Sequence, residues 1–266
     1  GAMTEEQVKG VYATAGVFLE FDWDFGGRSS SAATISISDS VSEVLAIVTG
    51  GERAVTGATF TGEHDSYATL EIATIFGGSV TIEIVFKLKE LDCGINCDID
   101  TALFNCGIDD TIDNIVLSIS PDGLLKWGVS DLNTVSAVKV SSGNAIVAGV
   151  RYHVVATVSA SDDVMAVHVN GQEIFRAQAP APAIVRAVIR EKFYIGRSID
   201  ETSGRRNNIN GEVSSFKLYS GAMAQADVVA AYEANFPFLE CDWDFRGATS
   251  SSIVDSIRGI AATHWK

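Results

Sequence analysis

Thr81-Ile82-Glu83-Ile84-Val85-Phe86-Lys87-Leu88-Lys89 is the stretch that decides the fold class of this chain. Ile82, Ile84, Phe86 and Leu88 occupy every second position, the period of a pleated strand whose successive side chains point to opposite faces. The pattern assigns those four to one buried face and turns Glu83, Lys87 and Lys89 outward.

Similar runs follow it, at residues 102–106, 114–120, 124–129, 135–140, 152–159, 164–170, 193–195 and 213–218. Turn signals separate them: Pro121-Asp122-Gly123, Ser142-Gly143-Asn144, Ser161-Asp162-Asp163 and Asn170-Gly171. Asn170-Gly171 predicts a type I′ hairpin turn, which needs positive φ at both central residues. One segment, 223–234 (MAQADVVAAYEA), reads as a helix with Val228, Val229 and Tyr232 on one face. Roughly a dozen strands with one short C-terminal helix predict an all-β, two-sheet antiparallel sandwich.

The 266 residues suffice for one large core, since a chain of this size buries roughly 70–75% of its unfolded surface. Hydrophobic residues make up 47% and prolines number only four, which excludes a disordered chain. Asp and Glu outnumber Lys and Arg by 34 to 19, for a net charge of −15. That surface repels phosphate backbones and anionic lipid, so neither nucleic acid nor membrane is an expected partner. No run approaches the roughly 18–20 apolar residues of a membrane span. Gly1-Ala2-Met3 reads as a protease-cleavage scar, and residues 1–15 are set aside as scar and linker.

An internal repeat organises the rest. FLEFDWDF at 18–25 returns as FLECDWDF at 238–245, each followed by a Gly/Ser-rich stretch and then by Asp39-Ser40-Val41 or Asp255-Ser256-Ile257. Solenoid repeats recur every 20–50 residues or so, and so long a spacing points to tandem domains instead. Residues 16–236 are read as one complete unit, with 237–266 the start of a second repeat or a closing strand. Because FLECDWDF can pair where FLEFDWDF does, a strand-swapped dimer is one expectation.

Three of the four cysteines, Cys93, Cys97 and Cys106, lie within LDCGINCDIDTALFNC, and Cys241 lies in the second repeat. The even count suits disulfides, with Cys93–Cys97 or Cys93–Cys106 as the local bridge. A zinc site is the weaker rival, because His64, His153, His168 and His264 are all remote in sequence.

Tyr152-His153-Val154-Val155-Ala156-Thr157-Val158, Val167-His168-Val169-Asn170-Gly171, Tyr194-Ile195-Gly196-Arg197 and Asn210-Gly211-Glu212-Val213 through Lys217-Leu218-Tyr219 stand in an order that resembles the laminin-G-like, concanavalin A-type jelly-roll modules. The resemblance covers roughly 80–230, and the helical segment sits where that family carries its own short helix. It implies a jelly roll in an extracellular or cell-surface protein, binding glycan or another extracellular protein. It also implies calcium at the sandwich rim, for which the acids Asp98, Asp100, Asp109, Asp110 and Asp113 are the candidates, calcium taking six to eight oxygens or so. A second polar loop beside the Ile195-Gly196 strand offers Asp200, Glu201, Arg205, Arg206 and Asn208 as ligand-binding residues. Trp23, Trp127 and Phe193 read as core rather than as sugar platforms, and His153 and His168 as structural.

Glycosidases of this fold carry Glu-x-Asp-x-x-Glu on one strand, setting two carboxylates on one face. That motif is missing here. Glu20, Asp22 and Asp24 share a face, and recur as Glu240, Asp242 and Asp244, but lack the second Glu at the required distance. No nucleophile elbow, phosphate loop or His-Glu-x-x-His is present. The expectation is therefore a non-catalytic recognition module, with an adhesion domain or a divergent polysaccharide hydrolase or lyase as the alternatives.

Overall fold

The alternating run at 81–89 lies in the middle of an antiparallel sheet, flanked on both sides by strands that bury the same apolar face. The structure, a computed structural model, describes residues 18–26, 34–38, 45–53, 57–62, 65–70, 75–91, 100–108, 113–129, 139–140, 146–178, 185–199, 208–235, 252–254 and 261–263. Its strands are β1 (Phe18–Asp24), β2 (Thr34–Ser38), β3 (Leu45–Thr49), β4 (Glu52–Arg53), β5 (Ala58–Thr61), β6 (Tyr67–Leu70), β7 (Ile75–Gly78), β8 (Val80–Leu88), β9 (Thr101–Gly107) and β10 (Ile115–Ile119). They continue with β11 (Leu125–Val129), β12 (Lys139–Val140), β13 (Arg151–Ser159), β14 (Val164–Val169), β15 (Gln172–Gln178), β16 (Val185–Ile189), β17 (Lys192–Ile195), β18 (Asn210–Ser220), β19 (Ser252–Val254) and β20 (Ala261–Thr263). Among the described residues there is one helix, α1 (Gln225–Asn235), after β18.

The first sheet runs β15-β14-β13-β8-β18-β5-β4, with β1 also paired to β18. The second runs β12-β11-β10-β9-β17-β6-β3-β2. Both are antiparallel throughout, and β7–β16 and β19–β20 form two further ribbons. The expected two-sheet jelly-roll sandwich is what forms. Ile82, Ile84, Phe86 and Leu88 are all buried, joined on the same face by Val154 and Ala156 of β13 and by Phe216 and Leu218 of β18. Phe216 stacks on Phe104 of the opposite sheet with ring centroids 4.9 Å apart. Burying each such ring contributes roughly 2–3 kcal/mol. Trp127 is fully buried, and its Nε1 donates to the Thr157 carbonyl across the sandwich at 3.0 Å. Phe193 is equally buried, so both aromatics are core. The side chain of Trp23 lies outside the described residues.

Asn170 and Gly171 have φ of 50° and 77°, the type I′ geometry read from the sequence. A Cβ at Gly171 would stand 3.1 Å from the Tyr232 ring, so the turn also needs glycine for the close approach of α1. The helix begins two residues later than expected, because the Met223 amide still donates to Thr81 Oγ1 on the sheet. Val228 and Ala231 are its buried residues, whereas Val229 and Tyr232 are half-buried. Of the strand expected at 135–140, only Lys139–Val140 is described, and Ser142-Gly143-Asn144 lies outside the described residues.

Two expectations need correction. Lys87 and Lys89 are exposed, but Glu83 is fully buried. The strand parity is right, yet α1 packs over that face and closes it around Val155, Tyr219, Met223 and Val228. Cys106 is a free, fully buried thiol, so the Cys93–Cys106 bridge does not form. Cys93, Cys97 and Cys241 lie outside the described residues. Among the described residues, no helix is long and apolar enough to cross a membrane.

Candidate functional site

The outward positions of β1, β18, β8 and β13 stand side by side because the strands pair in register. Asp22 of β1 pairs with Lys217 of β18, and Lys217 in turn pairs with Glu83 of β8. One step along, Asp24 pairs with Ser215. The end of α1 brings Asn235 over the same face. Asp22, Asp24, Ser215, Lys217 and Asn235, together with Arg151 at the start of β13, line an open groove of about 460 Å³.

The floor of the groove is fixed by Glu83. Its Oε1 accepts from Lys217 Nζ at 3.3 Å and from Asn235 Nδ2 at 2.9 Å, and its Oε2 accepts from the Tyr219 hydroxyl at 2.5 Å. His153 Nε2 stands 3.2 Å from the same carboxylate, with both side chains closed to solvent. Burial alone would raise the Glu83 carboxyl, but Lys217, His153 and Tyr219 outweigh it and hold it well below the usual carboxylate range. Glu83 is thus a buried anion, and Lys217 is anchored at one end while its remaining exposure opens to the groove.

At the rim, Asp24 is exposed and its Oδ1 accepts from the Gly26 amide at 2.9 Å. Burial lowers the Arg151 guanidinium, opposed by the carboxylates of Glu212 and Asp24. The groove therefore presents donors from Arg151 and Lys217 beside acceptors from Asp22 and Asp24, all carried on paired strands, while the Asn235 amide at its edge donates to Glu83 and to the Ala231 carbonyl.

Of the residues expected from the sequence to form a site, Asp100, Asp113 and Asn208 are described. Asp100 pairs with Lys126 Nζ at 2.7 Å. Asp113 is buried, with a φ of 53°, and its carbonyl accepts from the buried Arg190 Nε at 2.9 Å. Asp98, Asp109 and Asp110 lie outside the described residues, and among those described no three His, Cys, Asp or Glu side chains cluster to hold a metal. Asp200, Glu201, Arg205 and Arg206 also lie outside the described residues. Asn208 is turned inward at 3% exposure, its amide facing the Ser66 carbonyl at 3.5 Å, so it belongs to the framework.

Sequence reading did single out Asp22 and Asp24 as acids sharing a face. It missed Glu83, Lys217, Arg151 and Asn235, which come from four separate elements. Glu83, Lys217 and Arg151 share only a polar residue at an outward strand position, which also describes any solvated lysine, and Asn235 is a polar residue at a helix end.

Comparison with known folds gives this geometry a family. A family model described as the concanavalin A-like lectin/glucanases superfamily, of laminin-G type, matches residues 61–229, well over half of the chain. Curated proteins offer no match. Among solved structures, Trypanosoma rangeli sialidase aligns over 84% of this chain at 18% identity and a TM-score of 0.56. This chain spans only 33% of the sialidase. Domain 4 of AbnA, an extracellular GH43 arabinanase from Geobacillus stearothermophilus solved with arabinotriose, aligns over 80% of this chain and 98% of its own length, at 14% identity and a TM-score of 0.53. The binding domain of Paraclostridial Mosquitocidal Protein 1 aligns over 82% of this chain and 52% of its own, at 14% identity and a TM-score of 0.57. At such identities these likenesses concern the fold, and the family match carries the assignment: the chain belongs to the concanavalin A-like lectin/glucanases superfamily.

Proposed function

We propose that this chain is a non-catalytic glycan-binding module of an extracellular protein, with the groove beside β1 and β18 as its binding site. The observation that carries this reading is the mixed lining of that groove, in which Asp22 and Asp24 stand beside Arg151, Lys217 and Asn235. A sugar hydroxyl both donates and accepts, so a polyol is matched by neighbouring acceptors and donors. A purely anionic or cationic ligand would call for a lining of one sign. The near-complete overlap with a domain solved with arabinotriose supports the same reading. Calcium assistance belongs to the proposal on the strength of the acid-rich stretch 98–113.

The test is binding to a panel of neutral and acidic oligosaccharides, by calorimetry, in calcium and again in EDTA. A bound member whose affinity falls roughly tenfold in Asp22→Asn and Asp24→Asn, with melting unchanged, supports the site. Asp24→Asn is chosen because an amide oxygen keeps the bond from the Gly26 amide. No binding across the panel would move the protein-interaction alternative to the front. Release of reducing ends would replace the module reading with a hydrolase.

A further inference from the structure

α1 is too short to stand without the sheet beneath it. Its 11 residues fall below the roughly 12–15 at which an isolated helix becomes stable in water. Docking is what holds it. Val228 is buried in a cluster with Val155 of β13 and Tyr219 of β18. At one end Gln225 Nε2 donates to the Gly171 carbonyl at 2.8 Å, and at the other Asn235 Nδ2 donates to Glu83 Oε1 at 2.9 Å.

His168 meets the first of those ends, beside Gln225. It is carried on β14, paired with Val155, and only 2% of it is exposed. Neither ring nitrogen has a hydrogen-bond partner, and Glu173 Oε2 stands 3.6 Å from Nε2. That carboxylate oxygen is already held by Arg176, whose Nη2 and Nε donate to it at 2.6 and 2.9 Å. The facing groups are Glu173 and Arg176 from β15, the apolar Val155 from β13 with His153 two residues away, and Gln225 from α1, whose first turn also carries Asp227. A proton on this ring makes a cation closed to water, with one carboxylate that it must share. Burial lowers the proton affinity of the imidazole, and Arg176 adds to the effect. Glu173, Gln225 and the Val155 backbone oppose it without outweighing it.

We propose that α1 is an acid-releasable strap: protonation of His168 undocks the helix from β13 and β14 while the sandwich beneath stays folded. The docked state favours the neutral ring, and the undocked state returns it to water. Docking therefore weakens as pH falls through the ordinary histidine value of roughly 6.5. Glu83 is ionised throughout that range, so its own acid limb lies lower and is separate. Undocking carries Asn235 away from Glu83 and from the groove, so the strap also opens that site.

The experiment is amide hydrogen exchange on the full chain at about pH 7.5 and about pH 5.5, read by mass spectrometry on peptides covering 225–235 and 80–88, with the intrinsic rate divided out. At the lower pH the opening of α1 is expected to rise severalfold, up to about tenfold, the limit for a histidine that stays neutral when docked. Peptide 80–88 remains the slower of the two at both pH values. In His168→Gln, which takes no proton, the rise disappears. In Glu173→Gln, at a half-exposed position that the fold tolerates, it grows toward that limit, because Arg176 is left beside the imidazole without its carboxylate. No rise on acidification, a rise that persists in His168→Gln, a smaller rise in Glu173→Gln, or an α1 that opens only as often as 80–88 overturns the proposal.

Discussion

His153 Nε2 stands 3.2 Å from Glu83 Oε1, and neither side chain is open to solvent. The two residues sit on adjacent strands, beneath α1, at positions that a period of two assigns to the outside of the sheet. Glu83 also takes Lys217, Tyr219 and Asn235, so one carboxylate ties β8 to β13, to β18 and to the end of the helix. Removing one partner from a buried charged network leaves the others uncompensated and costs about 3–5 kcal/mol. Glu83→Ala is expected to lose that much in urea unfolding. Lys87→Ala, exposed on the same strand, should change stability by no more than about 0.5 kcal/mol.

The same carboxylate sets an acid limit. Its folded-state pKa is depressed below the unfolded Glu value of roughly 4.3, so between the two values the unfolded chain binds more protons. The stabilisation is complete above the unfolded value and is lost as pH falls below it. Melting temperature is expected to drop on acidification below about pH 4, and in Glu83→Gln the drop is shallower. An acid limb of equal depth in both proteins would contradict this assignment.

How much of this was legible in the sequence differs by element. The alternation at 81–89 and the Asn170-Gly171 turn are local, because pleat and turn geometry act over two to four neighbouring residues, and both form as read. Exposure of Glu83 was misread because period two tells the face of a strand and not what covers that face. Its burial depends on α1, roughly 150 residues later in the chain and bound through Asn235. The groove was illegible for the same reason: Asp22, Arg151, Lys217 and Asn235 meet only through strand order. The acids at 98–113 stand out in the sequence because charge clusters are visible there, and of the five only Asp100 and Asp113 are among the described residues. The partners that engage Asp100 and Asp113, Lys126 and Arg190, come from other strands and turns.

Gly196 marks a place where backbone and packing demand the same residue. Its φ is 80°, and a Cβ there would come within 2.5 Å of Ile209 Cγ2. The peptide groups are already engaged, with the Gly196 amide donating to the Leu103 carbonyl and its carbonyl accepting from the Ile209 amide, each at 3.0 Å. Gly196→Ala is expected to cost about 2 kcal/mol or more, combining left-handed strain with the displaced Ile209. Thermal melting would show this as a fall of roughly 4–8 °C. Gly149→Ala, also at positive φ but with open space at its Cβ, should lose less.

Cys106 tests whether the core is as closed as the sandwich implies. Burial pushes its thiol up to about 12, against the opposing pull of the Arg190 guanidinium and a backbone hydrogen bond involving Ile115. Only the thiolate attacks alkylating reagents, and at roughly pH 8 almost none is present at this site. Iodoacetamide added to the folded protein is therefore expected to leave the peptide carrying Cys106 unmodified by mass spectrometry. Addition after denaturation should label it fully, since the unfolded thiol returns to a pKa near 8.5. Labelling of folded protein at a rate that climbs in parallel with Glu83→Ala destabilisation would show that reagent reaches Cys106 through global opening. A rate indifferent to that substitution would locate a local opening of β9 from β10 or β17, the strands on either side of the thiol.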